Sequence, residues 1–121
     1  MIIKRKMNKK MPSATNMNGF RNITVAELQE RLEQGDLCLV DVRTDAEISR
    51  GKIPQGDPLP LHLLPLRLGG MDKNFATVFY CQTGGRSAQA AAFAAANGFT
   101  DAYNLQGGIV AWAQAGLPIE P

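Results

Sequence analysis

The chain has 121 residues, 45% of them hydrophobic, with two cysteines and one histidine, which fits a single globular domain. No apolar run approaches the ~20 residues of a membrane span. Two cysteines build neither a disulfide framework nor a four-thiolate zinc site, and the lone His62 excludes any site that needs two histidines, so neither metal nor cofactor is expected. The formal charge of +2 is uneven: residues 1–10 carry five cations and no acid, while the other eight cations face eleven acids, leaving residues 11–121 at −3. That remainder lacks the basic face that nucleic-acid binding requires.

In chain order, residues 1–19 read as a basic, disordered arm without helical or strand periodicity. Met7 and Met11 stand among lysines and asparagines, which is not a signal-peptide core. The domain is expected over 20–121. Thr24 and Glu27 form a capping box; Val25, Leu28 and Leu32 share one helical face, and Gly35 stops a helix over 25–34. The run 37–42 reads as a strand buried on both faces, as in a parallel sheet. Thr44 caps a short helix over 45–50 that ends at Gly51. The stretch 53–60 holds three prolines and a glycine, which no long regular element survives. A short helix is expected over 61–68, interrupted by Pro65. Thr77 to Tyr80 form another buried strand, and an Ala-rich helix over about 87–97, closed by Gly98, is small enough to approach the sheet closely. Residues 102–105 make a last strand, and Gly107-Gly108 open a helix through Trp112 that Gly116 and Pro118 stop.

Strands alternating with helices predict an α/β domain with a mainly parallel sheet, whose sites lie at the carboxyl ends of the strands. Two segments fall there: Asp41-Val42-Arg43 and Cys81 through Arg86. In the second, Gln82, Thr83, Gly84 and Gly85 separate Cys81 from a helix. The glycines let successive backbone N–H groups point inward, and such a nest at a helix N-terminus favours an anion. The thiol pKa should fall, and Arg86 adds a fork suited to oxyanions. The loop from Cys81 to Ser87 thus has the makings of an anionic sulfur nucleophile that receives an anionic substrate. Cys38, inside LCLVDV, reads as buried packing, with a redox or sulfur-relay role as the alternative.

Four segments together resemble the single-domain rhodaneses, a sulfurtransferase family. ITVAELQERLEQGDLCLVDVRTDAE resembles the family's opening helix, buried strand and D-x-R turn. GKIPQG resembles its G-H-I-P-G-A stretch, CQTGGRS its active-site loop, and GFTDAYNLQGGIVAWAQAGLPIE its closing G-G-x-x-x-W segment. They cover residues 23–120 in family order. The resemblance implies a three-layer α/β/α domain around a five-stranded parallel sheet. It also implies that Cys81 takes a sulfane sulfur from a small anionic donor such as thiosulfate, becomes a persulfide, and passes the sulfur to cyanide, a thiol or a protein acceptor. The loop residues Gln82, Thr83, Gly84, Gly85, Arg86 and Ser87 would hold the anions. Three departures bear on the adjacent surface: Lys52 replaces the family's histidine, Gln55 is additional, and Asp57 stands where a small apolar residue is common.

Asp41 is placed to order the loop through its N–H groups, or to serve structurally. Arg43 is expected to pair with Glu47, four residues on, rather than to attract anions. Trp112 is expected in the core and His62 at the surface. Three rival readings remain. Cysteine phosphatases use C-x5-R, whereas this chain has C-x4-R, and a residue spans up to ~3.5 Å, so the cradle is small for phosphate. A non-catalytic binding module and a sulfur relay share the fold. Reduced thiols suit the cytoplasm.

Overall fold

The computed structural model describes residues 19–121; the basic arm expected over 1–19 lies outside them except for Gly19. Five parallel strands form one sheet in the order β1-β5-β4-β2-β3. They are β1 (Arg21–Ile23), β2 (Cys38–Asp41), β3 (Asp57–Pro58), β4 (Thr77–Tyr80) and β5 (Ala102–Leu105). The helices are α1 (Val25–Gln34), α2 (Asp45–Ile48), α3 (Leu64–Arg67), α4 (Gly85–Ala96) and α5 (Gly108–Gln114). The capping boxes at Thr24 and Thr44 both form, each with the threonine side chain on the third helical N–H and the glutamate side chain on the cap N–H.

Period-two alternation along the strands sorts side chains into two cores. Val40, Phe79, Cys81 and Ala102 pack with Ala90, Ala91 and Ala94 of α4 and Leu64 of α3 on one face. Leu39, Val78, Tyr80, Tyr103 and Leu105 pack with Leu28 of α1 and Ile109 and Trp112 of α5 on the other. The sheet is therefore the middle of three layers, and every residue of β4 and β5 is buried.

The run 61–68 is not one helix. It divides into a 3-10 turn over Leu61–Leu63, α3, and a second 3-10 turn over Leu68–Gly70, because Pro65 is tolerated only at a helix start. Helix α4 begins two residues before the expected start, on Gly84 (φ 117°). The edge strands β1 and β3 go unread in the sequence. Asp57 and Pro58 form β3, and proline is accommodated because an edge strand leaves one side of its backbone unpaired.

The departures from the family pattern have a structural use. Lys52 exchanges both backbone hydrogen bonds with Glu120, and its ammonium reaches the Glu120 carboxylate at 3.3 Å and Gly56 O at 3.2 Å. The C-terminus is thereby tied to the loop beside the site. Gln55 lies in the turn after Ile53 and itself takes a positive φ of 78°.

Candidate active site

Parallel register brings the ends of β2 and β4 together: Asp41 pairs with Tyr80, and Val42 N donates to Tyr80 O at 3.0 Å. Cys81 follows β4 directly and is 1% exposed. The loop folds back over its sulfur. Gly84 N donates to Sγ at 3.1 Å, Ser87 N at 3.4 Å, and the Ser87 hydroxyl stands 3.3 Å away. Burial pushes the thiol up, but the hydrogen bonds from the Ser87 hydroxyl and from the Ser87, Gly84 and Thr83 N–H groups outweigh it, and Cys81 lies below an ordinary thiol. Cys38 is the opposite case: burial first, then the charge of Asp57, push it up.

Asp41 does not reach the loop. Its carboxylate, fully buried, takes the Arg43 N–H at 3.0 Å, Nε at 3.0 Å and Nη2 at 2.8 Å, while the nearby Tyr80 hydroxyl accepts from Ile53 N at 3.1 Å. Arg43, 3% exposed, also donates to Gly51 O at 2.8 Å and to Gln82 Oε1 at 3.4 Å. The expected Arg43–Glu47 pair is therefore wrong. Four-residue spacing brings side chains together only where both lie on a helix, and Arg43 precedes the cap Thr44. It is Arg43, not Asp41, that touches the loop.

Glu47 instead clamps Arg86, with Nη1 to Oε1 at 2.8 Å and Nη2 to Oε2 at 2.9 Å. This bidentate pair, with help from the Thr44 N–H, holds Glu47 down to about 2. The Arg86 fork that the sequence assigns to an oxyanion is thus already engaged by a carboxylate. Arg50 is exposed and forms no ion pair among the described residues. It borders a cleft of about 380 Å³ with Arg43, Glu47, Gln82, Ile109 and Val110.

Two residues stand near the sulfur in a way the sequence does not reveal: Gly108, read there only as opening a helix, and Asn104. Gly108 sits against the loop backbone, where Ile109 N donates to Cys81 O at 3.0 Å and Val110 N to Gln82 O at 3.1 Å. Asn104, 7% exposed, meets Ser87 Oγ at 2.6 Å. A polar residue inside the buried strand AYNL was the available signal. Trp112 is in the core and donates from Nε1 to Pro118 O at 2.8 Å, and His62 is exposed, both as expected. Among the described residues no cluster of three or more His, Cys, Asp or Glu side chains could hold a metal ion, and no helix is long and apolar enough to cross a membrane.

Residues 24–115 match the family model of the rhodanese-like domain. The chain is 47% identical over 93 residues to a sulfurtransferase of Allochromatium vinosum, covering 76% of this chain and 87% of that one. It is 34% identical over 96 residues to the thiosulfate sulfurtransferase GlpE of Pseudomonas fluorescens, covering 79% and 87%. The crystal structure of a rhodanese-like domain protein from Staphylococcus aureus superposes with a TM-score of 0.74 at 37% identity, covering 84% of this chain and all of that one.

Proposed function

This chain belongs to the rhodanese-like domain family, and we propose that it is a sulfurtransferase that works through a persulfide on Cys81, with thiosulfate or a related sulfane as donor. One observation carries the reading: a buried sulfur at a strand end, ringed by Gly84 N–H, Ser87 N–H and the Ser87 hydroxyl and held below an ordinary thiol. Such a sulfur is a nucleophile without a histidine base.

The Cys81 thiolate attacks the outer sulfur of thiosulfate. A new S–S bond forms, the donor's S–S bond breaks, and sulfite leaves with the bonding pair. The outer sulfur of the persulfide then carries the negative charge, and the loop N–H groups of Gln82 to Ser87 stabilise it. A nucleophilic acceptor, whether cyanide, a thiol or a protein cysteine, takes that sulfur and returns Cys81 as thiolate. Arg86, neutralised by its bidentate pair with Glu47, braces the start of the loop helix, and Arg50 draws anions to the cleft mouth. The cleft of about 380 Å³ holds far more than a single water-sized volume of about 30 Å³, which admits a thiol-bearing acceptor as well as cyanide. Unpaired cysteines suit a reducing compartment such as the cytoplasm.

The test is steady-state thiocyanate formation from thiosulfate and cyanide. Parallel double-reciprocal lines, loss of turnover in Cys81→Ser and near-full turnover in Cys38→Ser are expected. Turnover by Cys81→Ser would refute the assignment, and hydrolysis of a phosphoester would return the phosphatase reading.

A further inference from the structure

Asn104 is a buried amide in a strand whose other residues are Ala102, Tyr103 and Leu105. Burying an amide is costly unless its hydrogen bonds are made. Alternation turns Asn104 away from Tyr103 and Leu105, toward the face that holds Cys81 and α4. There Ser87 Oγ lies 2.6 Å from Asn104 Oδ1 and 3.3 Å from Cys81 Sγ. On the far side, Asn104 Nδ2 donates to Asn22 Oδ1 at 3.1 Å, because the β1–β5 register pairs Asn22 with Asn104.

The Ser87 hydroxyl has one proton and two neighbours that ask for it. When the proton is on Asn104 Oδ1, the sulfur contact is satisfied only by an S–H proton given to Ser87 Oγ, which describes the neutral thiol. Once Cys81 has lost its proton to solvent, Ser87 must donate to the sulfur. Its oxygen and Asn104 Oδ1 would then face each other as two acceptors. A half-turn of the Asn104 amide removes the conflict, since amide O and N are nearly equal in size, and presents Nδ2–H to Ser87. Asn22 turns likewise to donate to Asn104.

We propose that Asn104 and Asn22 are positioning residues, a two-amide relay that aims the Ser87 hydroxyl at the Cys81 sulfur whenever that sulfur is anionic. The relay deepens the sulfurtransferase reading and rests on it for its use in catalysis. Its line from Asn22 to Cys81 involves no charged side chain. The charged groups around it are Arg86 of α4 with Glu47 of α2, the Asp41–Arg43 pair at the end of β2, and, flanking Asn22, the Arg21–Asp101 pair, with the titratable Tyr103 on β5.

The test measures iodoacetamide alkylation of Cys81 against pH, followed by mass, in a Cys38→Ser background. A buried aspartate at 104 risks misfolding, so the exposed Asn22 carries the experiment. Asn22→Asp can only accept. It fixes Asn104 Nδ2 on β1 and Oδ1 on Ser87, and so keeps the hydroxyl proton off the sulfur. Loss of one hydrogen bond to a charged group shifts the alkylation midpoint up by about one pH unit, a tenfold slower reaction at a fixed pH below both midpoints. A purely coulombic effect of the new carboxylate is screened at 1 M salt, where the Debye length is about 3 Å; the relay effect persists there. An unchanged midpoint, or a shift that 1 M KCl abolishes, would overturn the relay. Persulfide loading from thiosulfate is read separately. A salt-resistant shift in Asn22→Asp, together with a wild-type protein that loads sulfur from neither thiosulfate nor an organic persulfide, would sink the sulfurtransferase reading and leave the relay standing.

Discussion

Replacing Gly108 by alanine places one methyl group where the active-site loop already runs. A Cβ built there would lie 2.6 Å from Cys81 O and 2.6 Å from Gln82 C, and closer still to Gln82 O. These are backbone atoms, so no side chain can swing aside. Helix α5 cannot retreat either, because Ile109 and Val110 donate to those same two carbonyls. Gly108 also has φ +60°, a left-handed conformation that costs a residue with a Cβ about 1–2 kcal/mol. Forcing a methyl into a packed site costs about 1–3 kcal/mol more. Gly108→Ala should therefore destabilise by about 2–5 kcal/mol in urea unfolding, summing those two costs. It should also slow persulfide loading at least tenfold, because the carbonyls that must move belong to Cys81 and Gln82. Gly69→Ala is the matched control, with nothing within 4 Å of its Cβ. A Gly108→Ala protein within 0.5 kcal/mol of wild type by a ~0.5 kcal/mol surface-substitution standard, loading sulfur at the normal rate, would refute the argument that α5 backs the loop.

Asp41→Asn leaves Arg43 buried without its counter-charge, which costs about 3–5 kcal/mol; urea unfolding measures it, and a loss under 1 kcal/mol contradicts the geometry of the pair. Alkylation followed by peptide mass should separate the two cysteines: the Cys81 midpoint falls below that of a free thiol and the Cys38 midpoint above it, since hydrogen bonds lower the first while burial and Asp57 raise the second. Coincident midpoints would contradict both environments. Glu47 is held down to about 2 in the folded chain, from 4.5, so its stabilising contribution is complete above pH 4.5 and is lost as pH falls through about 2. The pair is partly exposed, with Arg86 at 37% and Glu47 at 26%, so solvent screening leaves about 1 kcal/mol. Glu47→Gln should melt below wild type at pH 7, and the gap should close near pH 2; a gap constant with pH would contradict the clamp.

The central strands were legible because β2, β4 and β5 are short, mostly apolar runs buried on both faces, a pattern that survives without neighbours in view. Both edge strands were not. Arg21-Asn22-Ile23 is too short for a pattern, and Asp57-Pro58 is a strand only because Val40 and Asp41 lie beside it. The Cys81 loop was legible as a nest from its glycines and its position between a strand and a helix. The charge pairing around it was not, because Asp41, Arg43, Glu47 and Arg86 come from three separate segments. Spacing along the chain favoured Arg43 with Glu47, whereas the fold turns Arg43 inward to Asp41 and delivers Arg86 to Glu47 from 39 residues away. Asn104 shows the same limit. Its residue type was in plain view within AYNL, but its meaning depends on Ser87 and Asn22, which only the sheet register and α4 bring to it.

The most direct measurement is the intact mass of the purified protein after incubation with thiosulfate, taken in parallel for Cys81→Ser. Wild type should gain one sulfur atom, cyanide should remove it, and Cys81→Ser should gain none. A wild-type protein that stays unmodified with thiosulfate and with an organic persulfide donor, or a sulfur adduct that persists in Cys81→Ser, would contradict a persulfide on Cys81.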